Sequence, residues 1–457
     1  MNIIILGAGQ VGITVAQRLA GEDNDITLVD REAGLLRQLQ EHMDIRTVAG
    51  HAAHPAVLSK AGIDDADLLL AVTGSDETNM LACQIGHSLF HTPMRLARVR
   101  SPDYQRYPAL FGPGGIAVDV LINPDELVTH YVHRLIQHPG ALRILDFAGG
   151  RVQLVATRID SRSPAAGLPL RPYAGPDNAR RGAVVALLRR DRLIVPADDT
   201  VAESGDELFF AARASDVTAI LGSFCCTERR NRQITIAGGS NIGIRLAAML
   251  ERNYKVTVIE KDPARCRILA ESLHHSVILQ GDAGDARLLA SAEIGATDLF
   301  CALGHDDENN ILGAMLARRL GARQTLCIVN RSSHLDLARD SAIDITISPA
   351  QLSIGGLLTH IRHGDVAAVH SLRGGMAEAV EMVARGNRRT SSVVGRTAAA
   401  LPLPAEVAVA AIVRKNRIIF PLQDSVIEAD DHIILMLADR SAVAAIERLF
   451  QVGGRLS

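Results

Sequence analysis

Short, mostly apolar runs recur along the first part of the chain: Ile3 to Leu6, Ile26 to Val29, Leu68 to Val72, Leu96 to Val99 and Val118 to Ile122. Stretches with helical spacing separate them. Runs of this length with little polar alternation read as strands buried on both faces, and their alternation with helices is the mark of a parallel sheet with crossover connections. The pattern predicts a doubly wound α/β domain. After His138-Pro139-Gly140 it changes to strands separated by short turns, a Gly/Pro-rich loop from Ser161 to Gly182, and a helical stretch from Ser215 to Leu221. That second region predicts a small α+β domain.

The whole pattern then repeats. A shift of 231 residues lays Ile3-Ile-Ile-Leu-Gly-Ala-Gly-Gln-Val-Gly12 over Ile234-Thr-Ile-Ala-Gly-Gly-Ser-Asn-Ile-Gly243. It also pairs Gly50-His51-Ala52 with Gly281-Asp282-Ala283, and the segment from Ala71 to Asn79 with that from Ala302 to Asn310. A shift of 225 residues lays Pro196 to Asp206 over Pro421 to Asp431. Self-similarity over so much of the chain indicates a duplicated architecture. The fold predicted is α/β: two Rossmann-like doubly wound parallel sheets, each followed by a small α+β lobe. The predicted boundaries are 1–138, 139–223, 231–362 and 363–452, with the break in the second half near His363-Gly364.

From Asn123-Pro124 to Ile136 the chain has proline at a helix start and apolar residues at helical spacing, predicting an amphipathic linking helix. Its twin begins at Ser348-Pro349. Packing within one domain and pairing of two Rossmann units both suit such a helix.

Composition narrows the class. The chain has 457 residues, too many for one ordinary domain, with 47% apolar and 22% charged residues, as in soluble globular proteins. Its formal charge of −3 supplies no pull toward nucleic acid or anionic lipid. The apolar runs fall far short of the roughly 20 residues of a membrane span. The N-terminus begins directly with a strand-like run, so no signal peptide is expected and the cytoplasm is the expected compartment. Six cysteines, Cys83, Cys225, Cys226, Cys266, Cys301 and Cys327, include no C-x-x-C pair, which suits buried thiols and argues against a zinc site. No metal site is expected.

The candidate chemistry lies at the first strand-to-helix turn. Gly7-x-Gly9-x-x-Gly12 follows a predicted strand and opens a predicted helix, the context in which this spacing binds a dinucleotide. Gly7 permits the tight turn, Gly9 lets the backbone approach the pyrophosphate, and Gly12 allows the helix to lie close on the strand. The phosphates rest on free N–H groups at the helix N-terminus. Asp30 ends the second strand, where a carboxylate accepts from the adenosine ribose and favours NAD over NADP. Thr73-Gly74 and Arg98 stand at the ends of the strands predicted at Leu68 to Val72 and Leu96 to Val99, where open α/β sheets place their ligands. Arg98 is a candidate phosphate ligand.

In the second half Ser240 replaces the middle glycine, Glu260 stands for Asp30, Gly304-His305 for Thr73-Gly74, and Val329 for Arg98. Asp282 occupies the position of His51. A Cβ at Ser240 is expected to crowd the pyrophosphate approach. Weaker binding, a different adenine nucleotide, and an empty structural site are all compatible with these exchanges.

A dehydrogenase needs a proton donor or acceptor held beside the nicotinamide, and a place for substrate. No Tyr-x-x-x-Lys pair is present, and no substrate domain remains once the repeats are subtracted. An NAD-dependent oxidoreductase and a redox-sensing DNA-binding repressor are the competing readings. The second is disfavoured by the acidic balance and the absence of a basic recognition helix. The sequence reads as that of a regulator with no catalytic residues.

The glycine fingerprint Gly7 to Gly12, Asp30, the segment Asp67 to Asn79, Arg98-Val-Arg100 and the paired C-terminal modules resemble the Trk-type potassium-transport regulators built of tandem RCK (KTN) units. The resemblance covers the full length. It implies a peripheral subunit at the inner face of the membrane, assembled as a homo-oligomeric ring beneath a separate potassium-translocating protein of the TrkH or TrkG type. It further implies NAD(H) as ligand, with ATP and ADP as further candidates. The residues it assigns to binding are Gly7, Ala8, Gly9, Gln10, Val11, Asp30, Thr73, Gly74 and Arg98. In the second half they are Gly239, Ser240, Asn241, Ile242, Glu260 and Asp282.

Overall fold

The computed structural model describes residues 1–20, 24–170, 181–190, 192–197, 199–225, 232–361, 366–372, 377–404, 406–420, 425–439 and 442–452. The expected break at His363-Gly364, the domain start at 231, Cys226, the stretch from Pro421 to Asp424 and part of the 161–182 loop lie outside these residues. The chain forms two compact units. One comprises 1–128 with 329–337 and 347–354, the other 129–328 with 338–346 and 355–457.

In the first unit, β1 (Asn2–Leu6), β2 (Asp25–Asp30), β3 (Arg46–Ala49), β4 (Leu68–Ala71), β5 (Met94–Arg98) and β6 (Val120–Ile122) form a parallel sheet in the order β3-β2-β1-β4-β5-β6. Between them run α1 (Gln10–Leu19), α2 (Ala33–His42), α3 (Pro55–Ala61), α4 (Asp76–Phe90) and α5 (Pro102–Gln105). Ile3 to Leu6 and Leu68 to Ala71 are buried throughout, which is why these central strands carry no polar alternation. The strand order reverses between β1 and β4, the switch point at which such sheets open a crevice at their carboxyl ends.

The linking helix α6 (Pro124–Gln137) forms where the pattern placed it, with Asn123 Oδ1 accepting the Glu126 N–H at 3.2 Å. It crosses from the first unit into the second.

In the second unit, β7 (Ala141–Phe147), β8 (Val152–Arg158), β9 (Gly182–Arg189), β10 (Arg192–Ile194) and β11 (Glu207–Arg213) make an antiparallel sheet, ordered β10-β9-β11-β8-β7 and followed by α7 (Val217–Phe224). The second Rossmann sheet repeats the order of the first, as β14-β13-β12-β15-β16-β17. Its strands are β12 (Gln233–Ala237), β13 (Lys255–Glu260), β14 (Val277–Gln280), β15 (Leu299–Ala302), β16 (Gln324–Ile328) and β17 (Ile345–Ile347). Its helices are α8 (Asn241–Leu250), α9 (Pro263–Ser272), α10 (Ala286–Ser291), α11 (Asp307–Arg319) and α12 (Ser332–Arg339), and α13 (Pro349–Ile361) is the twin of α6; residues 332–337 and 349–354 of these last two helices belong to the first unit.

The last sheet repeats the antiparallel one: β18 (Val366–Leu372), β19 (Ala377–Val383), β20 (Val407–Arg414), β21 (Arg417–Ile419) and β22 (His432–Leu437), ordered β18-β19-β22-β20-β21, before α14 (Val443–Phe450). Both copies keep one charged clamp. Arg189 grips the buried Asp206 at 2.9 and 2.7 Å, and Arg414 grips the buried Asp431 at 2.8 and 2.7 Å. A bidentate pair of this kind satisfies a carboxylate that burial alone would expel.

The two antiparallel sheets share one core, in which Phe147, Phe209 and Val185 pack with Phe420, Ile434 and Met436. These small lobes complete each other's apolar faces instead of each closing a core of its own. Polar contacts tie the seam: Glu381 accepts the Ala148 N–H at 2.7 Å, and His370 Nε2 bonds the Asp146 carbonyl at 2.9 Å.

Candidate functional site

The first cleft is built around the β1–α1 turn. Gly7 has φ 107°, and a Cβ there would stand 2.9 Å from Thr73 Cα, so the turn lies against the backbone that follows β4. A Cβ at Gly12 would come within 2.0 Å of the Gly7 carbonyl oxygen. These two glycines are needed by the fold itself. Gly9 is different: its backbone is extended and a Cβ would meet nothing within 4 Å. It is the N-cap of α1 and supplies no side-chain cap, leaving the first-turn N–H groups of Gln10, Val11 and Gly12 facing an opening.

Asp30 ends β2 and closes one side of this opening. Its Oδ2 accepts the Ala8 N–H at 2.7 Å, and its Oδ1 accepts the Glu32 N–H at 3.0 Å. The carboxylate is thereby fixed, and each oxygen keeps a lone pair for a further donor. Ala8 and Val11 are buried, so any contact they make is through the backbone, and the Ala8 N–H is already taken. The side chain of Gln10 is exposed.

The opposite side is the loop after β4. Arg98 Nη2 donates to the Thr73 carbonyl at 2.7 Å, and Arg100 Nη2 donates to the Gly74 carbonyl at 2.7 Å. Arg98 Nε is buried with no hydrogen-bond partner. Burial, aided by the neighbouring Arg100, draws the Arg98 guanidinium down to about 10, with Asp76 and Asp125 acting the other way. It remains charged at neutral pH, a half-buried cation with an unspent donor.

The second cleft keeps the frame and changes the walls. Gly238, with φ 108°, takes the place of Gly7, and a Cβ at Gly243 would lie 2.1 Å from the Gly238 carbonyl. Glu260 Oε2 accepts the Gly239 N–H at 2.6 Å and its Oε1 the Asp262 N–H at 2.8 Å, the same two-point grip as Asp30. The longer acid is matched by a smaller neighbour. A Cβ on Gly239 would stand 3.0 Å from Glu260 Oε2 and 2.6 Å from Leu269 Cδ1, whereas the shorter Asp30 leaves room for Ala8.

Ser240 does not project its hydroxyl into the approach. Its Oγ turns inward, donating to the Leu303 carbonyl at 2.8 Å and accepting the Gly243 N–H at 3.3 Å. It crowds the site less than expected, and it consumes a helix N–H that the first cleft leaves open. Asn241 is half-buried and Ile242 buried in the first turn of α8. Ser240, Glu260, Lys261, Asp282, His305 and Asp306 line a cleft of about 170 Å³. Asp282 folds back on the Gly284 N–H at 2.8 Å. Its counterpart His51 accepts the Ala53 N–H at 3.1 Å and stacks on His54 at 4.6 Å.

One expected correspondence is corrected by the strand register. Ala71 pairs with Ala97 and Ala302 with Cys327, so the residue opposite Arg98 is Ile328, and Val329 matches Val99. Val99 and Val329 donate equivalent N–H groups to Ile122 and Ile347. A one-residue difference before β16 hid this in the ungapped overlay. Both cations of the first cleft are therefore absent from the second, with Ile328 for Arg98 and Asn330 for Arg100.

Asn79 and Asn310 escaped assignment. Asn79 Oδ1 accepts the Thr73 N–H and Oγ1–H at 2.9 and 2.7 Å, while its Nδ2 donates to the Arg98 carbonyl at 2.9 Å. Asn310 repeats this with Gly304 and the Ile328 carbonyl, at 2.9 and 3.0 Å. Each buried amide locks the loop after the fourth strand to the end of the fifth. The signal was present in the repeated Asp-Glu-x-Asn, whose final residue is identical in both halves.

An open helix mouth, a clamped carboxylate and an orphaned guanidinium donor fit a dinucleotide in the first cleft. Residues 3–124 and 234–349 match the TrkA-N domain family, and residues 389–451 match the TrkA-C domain family. The Trk system potassium uptake protein TrkA of Halomonas elongata is 47% identical over 456 residues, spanning 99% of both chains. A solved structure described as the GsuK channel bound to NAD shares the fold over 98% of this chain and 78% of its own, with TM-score 0.60 at 20% identity. A crystal structure of GsuK bound to ADP covers 79% of this chain and 70% of its own, with TM-score 0.50 at 17% identity.

Proposed function

Because the chain belongs to the TrkA family of Trk system potassium uptake proteins, we propose that it is a nucleotide-sensing regulatory subunit rather than an enzyme. It controls a separate potassium-translocating membrane protein of the TrkH or TrkG type. NAD(H) occupies the first cleft, between Gly7 to Val11, Asp30, Thr73-Gly74 and Arg98. An adenine nucleotide such as ADP or ATP occupies the second, between Gly239 to Ile242, Glu260 and Asp282. The lobes are 1–138, 139–223, 231–362 and 363–452, and copies of the chain assemble into a ring at the inner face of the membrane. Among the described residues no helix is long and apolar enough to cross a membrane, in keeping with a pore supplied by a partner.

The observation that carries the nucleotide reading is Gly9, whose missing side chain leaves open space before an uncapped helix mouth. The nucleotide acts by population shift, biasing two ring states only through its differential affinity for them. A tenfold preference supplies about 1.4 kcal/mol per site, and equal sites around a concerted ring add. Calorimetric titration of the purified chain with NADH, followed by nucleotide titration of potassium flux through the co-purified transporter, tests both parts. Sustained turnover of NADH with a carbonyl substrate would overturn the regulatory reading.

A further inference from the structure

The second cleft has lost both cations of the first, yet one arginine stands at its glycine turn from the other side. Arg265, in the first turn of α9, donates Nε to the Gly239 carbonyl at 2.7 Å and Nη2 to Asn241 Oδ1 at 3.1 Å. Its Nη1 carries no hydrogen bond among the described residues. The first half has Leu35 at this place, since α2 begins at Ala33 and α9 at Pro263. The exchange is reciprocal: Arg98 with Ile328 on the β4–β5 side, Leu35 with Arg265 on the side of the second strand.

The side matters chemically. The acid ending the second strand marks the adenosine end of a bound nucleotide, and the crevice beyond the fourth and fifth strands takes the other half of a dinucleotide. Arg98 therefore serves a ligand that extends across the switch point. Arg265 stands five residues past Glu260, beside the turn of Gly239 to Asn241 on which an adenosine phosphate rests. Across the cleft, Asp306 caps α11 through the Asn309 N–H at 2.8 Å, placing negative charge where a dinucleotide would continue.

We propose that Arg265 is the phosphate-reading residue of the second cleft and sets it to take adenosine 5′-phosphates in preference to dinucleotides. This rests on the nucleotide reading above. The guanidinium is held at the turn by the Gly239 carbonyl and the Asn241 amide, so it is ordered before ligand arrives and gives up little freedom on binding. Its remaining donors make charge-assisted bonds to phosphate oxygens.

The test is calorimetry on the full chain saturated with NADH, titrated in parallel with adenosine and AMP. The chain as it stands takes AMP at least tenfold more tightly than adenosine. In Arg265→Leu, the residue of the first half, that ratio falls below threefold while adenosine affinity stays within twofold; Arg265→Lys keeps an intermediate ratio. Equal loss of adenosine and AMP would mean that Arg265 only shapes the loop and would overturn the proposal. So would an unchanged ratio in Arg265→Leu, or no AMP uptake by the unsubstituted chain. Failure of NADH to bind at all sinks the broader reading instead, and the adenosine-against-AMP comparison, run on that chain without NADH, still decides the role of Arg265.

Discussion

The two Rossmann sheets have the same strand order, the same positive-φ glycine after the first strand and the same buried asparagine behind the loop after the fourth. Their clefts nevertheless differ at the residues that face an opening. Where a group supports the backbone, as Gly12 and Gly243 do, both copies keep it, because a Cβ about 2 Å from a carbonyl oxygen has nowhere to go. Where a group faces the opening of the cleft it is exchanged, and the exchanges come in compensated sets. Asp30 with Ala8 becomes Glu260 with Gly239, and an open Gly9 becomes a self-capping Ser240. Duplication preserved the frame and released the walls.

The largest expected effect separates frame from wall within one turn. Gly9→Val places a branched side chain in the open space before α1, at an extended φ that any residue adopts, so the fold is kept. NADH affinity should fall at least about a hundredfold, about 2.7 kcal/mol. Gly12→Ala, three residues on, should instead destabilise the lobe by about 2–4 kcal/mol, because backbone must move. Calorimetry and thermal unfolding of both variants check the distinction. Equal melting temperatures for the two would remove the physical basis for separating frame from wall.

Much of this was legible in the sequence, and the exceptions have identifiable causes. The central strands announce themselves because burial on both faces removes every polar residue from Ile3 to Leu6 and from Leu68 to Ala71. The edge strand β3 did not, since of Arg46 to Ala49 only Val48 is buried. The glycine turn and Asp30 were readable because their spacing is a chemical requirement. Arg265 was not, because its role depends on a helix turn folding back over a loop 26 positions away in sequence. Asn79 recurs at the helix start of both halves, but only its burial shows which backbone groups it holds. The exchange of Arg98 for Ile328 was displaced by one position, as a loop length difference leaves no trace in an ungapped overlay.

The next effect in size concerns the acids. Asp30→Ala frees the Ala8 and Glu32 N–H groups and removes the acceptor at the ribose end, and should weaken NADH about tenfold, about 1.4 kcal/mol. Glu260→Ala should leave NADH uptake by the first cleft within twofold while weakening adenine nucleotides at the second. A loss of NADH affinity in Glu260→Ala would mean that the clefts are not independent. A smaller change is expected from Ser240→Gly. It returns the Gly243 N–H to the helix mouth at the cost of a few tenths of a kcal/mol in capping, and should strengthen nucleotide binding at the second cleft about threefold. Weaker binding there would show that the serine hydroxyl itself contacts the ligand.

The smallest effect turns on the exchange of Asp282 in the second half for His51 in the first, which sets an imidazole where the other copy has a carboxylate. Burial, Arg31 and His54 together hold the His51 imidazole below its ordinary value, so it is neutral at pH 7 in the free chain. A nucleotide brings negative charge to the cleft, and an anion nearby favours the imidazolium. Bound chain therefore takes up a proton more readily than free chain, and by linkage the affinity must rise as pH falls through the region of the histidine pKa. NADH binding should strengthen about two- to threefold between pH 7.5 and 5.5, a modest change because His51 is partly solvated and screened. His51→Asp, which gives the first cleft the residue of the second, should abolish this dependence without altering the shape of the turn, since Asp282 makes the equivalent turn with its own carboxylate. Calorimetry of both proteins across that pH range measures the difference. An identical pH profile in His51→Asp would assign the dependence to another group, with His54, stacked on the same ring, the next to replace.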